Sequence, residues 1–547
     1  MHRTTQLQRL KTETFDLCII GAGASGAGCA LDAALRGLKV ALVEKEDFAA
    51  GTSSKSTKLI HGGVRYLEQA FKNLDFAQLK QVRHGLEERH LLLANAPHLA
   101  RPLGLITPVS SWLEGLYFSI GLKLYGWFAA GKDDLPKSRW LSKKEALRRM
   151  PGLSPNIHSA VLYYDGQLDD ARYCVALAKS ADQLGAAITN HTEVVGFQKD
   201  ATQKIVAAQI KDTLSEEVFE VRAKVFLNCT GPYADKIRAF ANPAEAPRIR
   251  PSKGVHAMLP KSILGSNDAM LIPKTRDGRV VFAIPFEGKV MLGTTDDDYE
   301  NLAAEPALEA REIDFLLETL QPFVSPKVDR SQVSAGFGGL RPLLAAKPGK
   351  GTKNLVRDHE VETDTVSGLI SLLGGKWTTY RLMAQDAVDA VCLALSPQSV
   401  VPECRTKTQV LAGGLDYQYE DWKKIQSNVG MDADICQHLV LKYGADAKQI
   451  ADICQEQALW ATRIHPSYPY VLAEAVFAAR HEMACTLRDF LARRIRLEIA
   501  DWGATSAVLS QTALAMASVL HWNEAEKTRQ IVEYQKLISH FQQCATT

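Results

Sequence analysis

The 547-residue sequence has almost no excess of either charge, because 64 Lys and Arg against 62 Asp and Glu leave a formal net charge of +2. This balance argues against a large nucleic-acid-binding surface. The ten cysteines form neither a C-x-x-C pair nor a group with histidines at ligand spacing, so we predict no metal site and a reducing compartment. No apolar run approaches the roughly 18 residues of a spanning helix. Residues 1–14 are polar and do not resemble a secretory signal, which favours a cytoplasmic location.

Residues 15–44 are the most informative stretch of the chain. An apolar strand pattern at 15–20 leads into the turn G-A-G-A-S-G at 21–26, and a helix-like run then leads to a second apolar strand that ends at Glu44. A glycine fingerprint alone is weak evidence, but here it has a strand before it, a helix after it and a carboxylate at the expected distance. The stretch therefore predicts a Rossmann-like dinucleotide-binding unit.

Each residue of this unit has a physical role in binding a dinucleotide. Gly21 permits the tight turn, Gly23 lets the backbone approach a pyrophosphate, and Gly26 lets the helix pack closely on the strand. Backbone N–H groups at the start of the helix hold the phosphates. Glu44 can accept hydrogen bonds from ribose hydroxyls.

The fingerprint does not distinguish NAD from FAD, but other segments favour a flavoprotein. No second G-x-G-x-x-G follows in a strand–helix context, which suggests either an NAD enzyme or a flavoprotein reduced directly by its substrate. Residues 52–58 are rich in hydroxyls and cations and precede L-I-H-G-G at 59–63, a segment suited to line a pyrophosphate and an isoalloxazine ring. The strand pattern at 223–229 ends in a turn at 230–232 that suits a position beside a cofactor. The segment L-L-G-G-K-W-T-T-Y at 372–380 has a glycine turn whose N–H groups suit a flavin edge or a substrate phosphate.

We therefore predict FAD as the cofactor. The residues predicted to bind it are Gly21, Gly23, Ala24, Ser25, Gly26, Glu44, Lys45, Thr52, Ser53, Ser54, Lys58, Leu59, Gly62, Gly63, Val194, Thr230, Gly231, Gly375, Lys376, Trp377 and Thr378.

Several longer motifs resemble the FAD-dependent, quinone-linked glycerol-3-phosphate dehydrogenases. The motifs are T-S-S at 52–54 with K-L-I-H-G-G-V-R-Y-L-E at 58–68, G-T-T-D at 293–296, G-L-R-P-L at 339–343, G-G-K-W-T-T-Y-R at 374–381, and R-H-E-M-A with T-L-R-D-F-L-A-R-R at 480–494. Their order also matches, and the resemblance spans about residues 15–500.

The resemblance implies oxidation of sn-glycerol 3-phosphate to dihydroxyacetone phosphate, with hydride passing to flavin N5 and the electrons to a membrane quinone. A sister group uses oxygen and carries an insertion in the substrate region, which we do not find between Gly339 and Gly374. The alternatives are such an oxidase, an amine or hydroxy-acid oxidase of the same fold, or a non-catalytic flavin-binding scaffold. The several cations near the predicted flavin disfavour the amine or hydroxy-acid oxidase and the non-catalytic scaffold.

By the same resemblance, Arg65, Tyr66, Arg341, Arg357 and Lys376 lie around the substrate, since a small dianion needs cations and directed donors. The hydroxyl proton needs a base near the working pH, which points to histidine.

The candidate bases are His61 and His256, of which His61 is favoured; it could instead pack against the flavin. Arg341 is predicted to share catalysis by stabilising the developing alkoxide.

The predicted architecture is α/β with three parts. A discontinuous FAD-binding domain comprises residues 1–90, 160–240 and 354–396, and an antiparallel-sheet substrate domain comprises 91–159 and 241–353. Residues 397–547 form a helical C-terminal domain.

Residues 112–128 are apolar and aromatic, with a basic stretch after them. This pattern predicts an interfacial helix that attaches the protein peripherally to the inner face of the cytoplasmic membrane, although a core helix pair would look similar. The sequence leaves a homodimer open.

Overall fold

The computed structural model describes residues 1–62, 76–118, 121, 135–273, 275, 279–345, 359–396 and 401–547. The strands in these ranges are β1 (Thr14–Ile20), β2 (Val40–Val43), β3 (Leu59–Ile60), β4 (Ala100–Val109), β5 (Arg139–Ser142), β6 (Ser159–Leu168), β7 (Ala187–Thr189), β8 (Thr192–Lys199), β9 (Ile205–Asp212), β10 (Val218–Asn228), β11 (Ile249–Pro260), β12 (Ala269–Ile272), β13 (Val281–Phe286), β14 (Lys289–Gly293), β15 (Asp297–Asp298), β16 (Ala335–Leu344), β17 (His359–Thr363) and β18 (Ile370–Gly374).

The α-helices in the same ranges are α1 (Arg3–Thr12), α2 (Ala24–Leu35), α3 (Phe76–Asn95), α4 (Lys143–Arg149), α5 (Asp170–Gln183), α6 (Ala234–Ala241), α7 (Ala310–Leu320), α8 (Tyr380–Leu395), α9 (Asp421–Val429), α10 (Ala433–Tyr443), α11 (Ala447–Glu456), α12 (Leu472–His481), α13 (Leu497–Ala500), α14 (Trp502–Ala507), α15 (Leu509–Leu520) and α16 (Glu524–Thr546). Residues Asp489–Arg494 form a π-helical turn.

The first sheet, of eight described strands, contains the dinucleotide-binding unit. Its order is β17-β18-β10-β1-β2-β7, and β9 and β8 extend it from β10. The strands β18, β10, β1, β2 and β7 run parallel, and β1 and β2 are apolar on both faces because helices cover the sheet. Helix α2 is rich in alanine and glycine and packs between α5 and α8, so its first turn is buried at the carboxyl end of β1.

The second sheet, of ten described strands, has the order β15-β11-β14-β13-β12-β4-β6-β3, with β16 paired to β11 and β5 paired to β6. Among these pairs only β4 and β12 run parallel. Strands β3 and β6 belong to this sheet, although the predicted domain bounds group them with the FAD-binding segments. Strand β3 is the last strand in this order, and His61 directly follows it.

The helices after residue 420 pack onto the second sheet. One continuous apolar core contains Met258 and Leu292 from that sheet together with Phe477 and Phe490 from the C-terminal region. The dinucleotide-binding unit has its own core around Leu17 and Val40. The predicted fold class is confirmed: an α/β chain with a Rossmann-like sheet, a largely antiparallel second sheet and a helical C-terminal region.

Candidate cofactor and substrate site

The glycine turn after β1 is shaped for close approach of a ligand. Gly21 has a φ of 97°, in the left-handed region that favours glycine. A Cβ on Gly26 would lie 1.8 Å from the carbonyl oxygen of Gly21, so α2 begins directly against the turn. A Cβ on Gly23 would lie 2.8 Å from Ser53 Oγ. The turn therefore leaves little room for side chains at Gly23 and Gly26, which suits the close approach of a pyrophosphate to the start of α2.

Glu44 lies beside this turn, at the end of β2. Its Oε2 accepts a hydrogen bond from the Ala22 amide at 2.7 Å, and its Oε1 accepts one from the Glu46 amide at 3.0 Å. Burial raises the pKa of the Glu44 carboxyl, while the two backbone donors oppose that rise. The ammonium of neighbouring Lys45 lies 4.2 Å from the centroid of the Tyr233 ring.

The segment Thr52–Ser54 connects three parts of the site. Ser53 Oγ accepts a hydrogen bond from the Ala24 amide at 2.9 Å, which ties the segment to the glycine turn. Thr52 Oγ1 donates to the carbonyl oxygen of Leu340 at 2.6 Å, one residue before Arg341. The Trp377 indole N–H donates to the carbonyl oxygen of Ser53 at 2.9 Å, one residue after Lys376. The fold thus brings the glycine turn, Arg341 and Lys376 around one short segment.

Arg341 is held at the edge of the second sheet. Its Nη1 donates to Asp296 at 2.9 Å, and its Nη2 donates to Thr294 Oγ1 at 3.0 Å and to the Thr295 carbonyl at 2.9 Å. The guanidinium lies across Gly254, where a Cβ would come within 2.4 Å of Nη2. The motif G-T-T-D thus orients the arginine, whose side chain stays partly exposed.

His61 follows β3 and lies near Lys376. Desolvation lowers the pKa of His61 below the ordinary histidine value; the cations Lys376 and Arg89 lower it further, and Asp165 opposes them. Its side chain is nevertheless accessible to solvent. A neutral imidazole that a ligand can reach is able to accept a proton.

His256, the second candidate base, is buried in β11. Its Nε2 lies 3.1 Å from Thr57 Oγ1, and its ring stacks on Phe337 with centroids 4.9 Å apart. Its Nδ1 has no hydrogen-bond partner within the described ranges. Burial, with the cations Lys58 and Arg341, places the pKa of His256 well below the ordinary value. The lowered pKa values favour the neutral imidazole in both histidines, and His61 is the more accessible.

Lys58, predicted to bind the cofactor, is completely buried. Its ammonium donates to Asp170 Oδ2 at 3.0 Å and to the carbonyl oxygens of Ser54 and Ser56. Burial lowers the pKa of Lys58 to about 8, against the opposing effect of Asp170. Our sequence reasoning did not assign a role to Asp170; the available signal was the pair of acids that opens α5.

The remaining predicted residues lie as follows. Val194 is buried in β8 opposite Ile210, and Leu59 is buried in β3. Thr230 Oγ1 donates to Asn228 Oδ1 at 2.7 Å, and Gly231 has a φ of 55°.

Thr378 is buried in the turn after Lys376, and Gly375 has a φ of 93°. Ser25 is half-buried in the first turn of α2, and Gly62 directly follows His61. Gly63, Arg65, Tyr66 and Arg357 lie outside the described residues.

The fold and the glycine turn define the class of protein: a dinucleotide-binding oxidoreductase. The family model described as FAD dependent oxidoreductase matches residues 16–381, and the model described as the C-terminal domain of alpha-glycerophosphate oxidase matches residues 404–527. The chain belongs to the FAD-dependent glycerol-3-phosphate dehydrogenase family, and its cofactor is FAD. The close approach of Gly26 to Gly21 and the position of Glu44 fit this cofactor.

Named relatives support the family over nearly the whole chain. The mitochondrial glycerol-3-phosphate dehydrogenase SDP6 of Arabidopsis thaliana is 41% identical over 96% of this chain and 85% of its own length. The mitochondrial glycerol-3-phosphate dehydrogenase of Mus musculus is 38% identical over 97% of this chain and 74% of its own. The structure of the Bacillus halodurans glycerol-3-phosphate dehydrogenase complexed with FAD is 29% identical, covers 98% of this chain and 97% of that chain, and has a TM-score of 0.79.

Proposed function

We propose that this protein oxidises sn-glycerol 3-phosphate to dihydroxyacetone phosphate and that a membrane quinone finally accepts the electrons. The observation that carries the proposal is the set of three hydrogen bonds made by Thr52 and Ser53. Leu340 precedes Arg341 and Trp377 follows Lys376 in the chain, so these bonds support a position of both cations beside the glycine turn that suits FAD. A phosphorylated substrate needs cations at the flavin, whereas a non-catalytic scaffold does not.

Each residue has a distinct role in this reaction. Bound FAD supplies a two-electron acceptor for the substrate carbon. Lys376 and Arg341 hold the phosphate, and Arg341 stabilises negative charge that develops on the substrate hydroxyl oxygen. His61 accepts the hydroxyl proton, because its imidazole is neutral and accessible. Asp296 and Thr294 fix the guanidinium, so little reorganisation is needed on binding.

Replacing Arg341 by alanine tests the substrate site. Charge-assisted hydrogen bonds contribute about 1.5–3 kcal/mol each, so R341A should lower kcat/KM for sn-glycerol 3-phosphate by about 10- to 150-fold while FAD stays bound. Arg250, exposed on β11, is the matched control, and R250A should behave as wild type. Wild-type kinetics for R341A would remove Arg341 from the substrate site. Anaerobic bleaching of the flavin by sn-glycerol 3-phosphate is the direct assay, and a spectrum that the substrate leaves unchanged would refute the proposal.

The proposed membrane contact rests on an exposed apolar helix. Residues 112–118 are helical, and Trp112, Leu113 and Tyr117 have exposed fractions of 58%, 71% and 49%. A core helix would bury such side chains, and a contiguous exposed apolar patch indicates an interaction surface.

A basic stretch adjoins this helix in space. A Cβ on Gly115 would lie 2.3 Å from the Trp140 ring, so the helix lies against β5. Lys137, Arg139 and Lys143, on and beside β5, are exposed. Apolar side chains beside cations suit an anionic lipid surface, so we place the enzyme peripherally on the inner face of the cytoplasmic membrane. Within the described ranges, every helix is too short or too polar to span a bilayer.

Vesicle binding tests this contact. The variant W112S/L113S/L116S should bind vesicles with anionic lipid less tightly and reduce a membrane quinone more slowly, with the anaerobic reduction of the flavin unchanged. Leu415 and Val218 are exposed elsewhere, so L415S/V218S is the control for lost surface hydrophobicity. Unchanged vesicle binding by the triple variant would exclude the helix as the contact. Rapid turnover with oxygen and none with quinone would instead favour the oxidase alternative.

A further inference from the structure

The segment Asp47–Lys58 carries the hydroxyls that connect the site, yet its own conformation is not locally favoured. Ala49 has a φ of 62° and Lys58 a φ of 58°, both in the left-handed region that non-glycine residues rarely adopt. Such a segment keeps its shape only where the surrounding structure holds it. The groups that hold it come largely from the C-terminal region.

The first end of the segment is held at Asp47. Arg494 Nη1 and Nη2 donate to the two carboxylate oxygens of Asp47 at 2.7 and 3.0 Å, and Arg493 Nε donates to Oδ2 at 2.6 Å. Asn190 Nδ2 adds a bond to Oδ1 at 3.0 Å. Asp47 and Arg494 are fully buried, so each charge depends on its partners. The π-helical turn lets the consecutive arginines 493 and 494 reach one carboxylate.

The second end is held at Ser54. Arg496 Nη2 donates to the carbonyl oxygen of Ser54 at 2.6 Å and to Asp170 Oδ1 at 2.9 Å. Asp170 Oδ2 in turn accepts from Lys58 Nζ and from the Ser56 amide. Arg496 is buried and has a φ of 69°, where glycine would be less strained. An arginine at this position therefore contributes through its side chain.

We infer that Arg496 is a positioning residue for FAD. Among the described residues of the predicted cofactor site, it donates a hydrogen bond only to the carbonyl oxygen of Ser54, and this bond sets the position of Ser53. Ser53 in turn bonds the Ala24 amide at the start of α2 and the Trp377 indole. The C-terminal helical region thereby positions the cofactor-binding segment Asp47–Lys58 without itself contacting the glycine turn through Arg496. The inference rests on the proposed placement of FAD at the glycine turn, and not on the substrate or the electron acceptor.

The test compares two buried arginines in the holoenzyme. R496M removes the arginine's bond to the Ser54 carbonyl and leaves the longer bond from Lys58, which also still neutralises Asp170. R172M is the matched control, because Arg172 is also buried and pairs bidentately with Glu482 of the C-terminal region, and its described hydrogen bonds do not go to the segment. Both variants should lower the melting temperature. Only R496M should release FAD at least tenfold faster on dilution, and R496K, which keeps one cationic donor, should lie between R496M and wild type.

Equal FAD release rates for R496M and R172M would overturn the inference, whatever their melting temperatures. If R496M does not fold, the comparison of R496K with R172K decides on the same criterion: faster release by R496K supports the inference and equal release overturns it. Because FAD release is measured without substrate, a failure of sn-glycerol 3-phosphate to bleach the wild-type flavin would refute the proposed function and leave this result intact.

Discussion

The glycine turn permits a sharp prediction at Gly26. In G26A the new Cβ would lie 1.8 Å from the Gly21 carbonyl oxygen, so backbone would have to move by more than about 1 Å to reach the 3.0 Å below which Cβ contacts essentially never occur. The obstructing atom belongs to the backbone at the end of β1 and cannot rotate away. Overpacking of this kind costs about 1–3 kcal/mol or more. If the turn opens to relieve it, the Kd for FAD should rise by about 5- to 150-fold.

The assay is quenching of flavin fluorescence when FAD binds the flavin-free protein, with the melting temperature measured with and without FAD. Gly503 supplies the control, since it lies inside helix α14 and a Cβ there would meet only Asp501 Oδ1, at an ordinary contact distance of 3.4 Å. G503A should bind FAD as wild type does. If G26A kept both the wild-type Kd and the stabilisation by FAD, the turn would not be the pyrophosphate site.

Three further predictions follow from buried charges and titrating groups. Because the pKa values of His61 and His256 are both lowered, the active neutral form should persist on acidification, and kcat/KM should stay level from pH 7.5 to about 6.5 and fall only below it; a fall that begins above pH 7 would contradict a histidine base in this environment. Burial lowers the pKa of His98 to about 3, so the unfolded chain binds the proton first and stability should drop as pH falls below about 6.5, by about 2 kcal/mol at pH 5. H98Q should lessen this acid sensitivity in urea unfolding at pH 5 and 7, and an unaltered pH dependence would be evidence against it. E44Q should weaken FAD binding by about tenfold through poorer contacts with ribose hydroxyls. The Glu46 side chain is about half exposed, so the control E46Q should change FAD binding by less than about twofold. Equal effects of the two variants would argue against ribose binding by Glu44.

Local sequence was sufficient to predict the dinucleotide-binding unit. The strand, turn and helix at 14–35 and the strand at Val40–Val43 are contiguous, and each has a short-range signal: apolar runs for buried parallel strands and glycines at the turn. The family model and the related structure complexed with FAD confirm the predicted fold class and cofactor. Recognition of the longer motifs led to the family, which chemistry at one turn would not have identified.

The surroundings of the predicted site residues were decided by tertiary structure. Lys58 lies in a hydroxyl-rich loop sequence typical of a phosphate contact, but its ammonium is buried against Asp170, 112 residues away. Arg496 meets Ser54 across 442 residues, and strand β10 enters between β1 and β18 from far along the chain. Such contacts leave no periodicity in the sequence, because a buried charge and an exposed one use the same residue types. Only the packing of the C-terminal helices against the segment Asp47–Lys58 determines which of these cations can face a ligand and which must neutralise a carboxylate inside the protein.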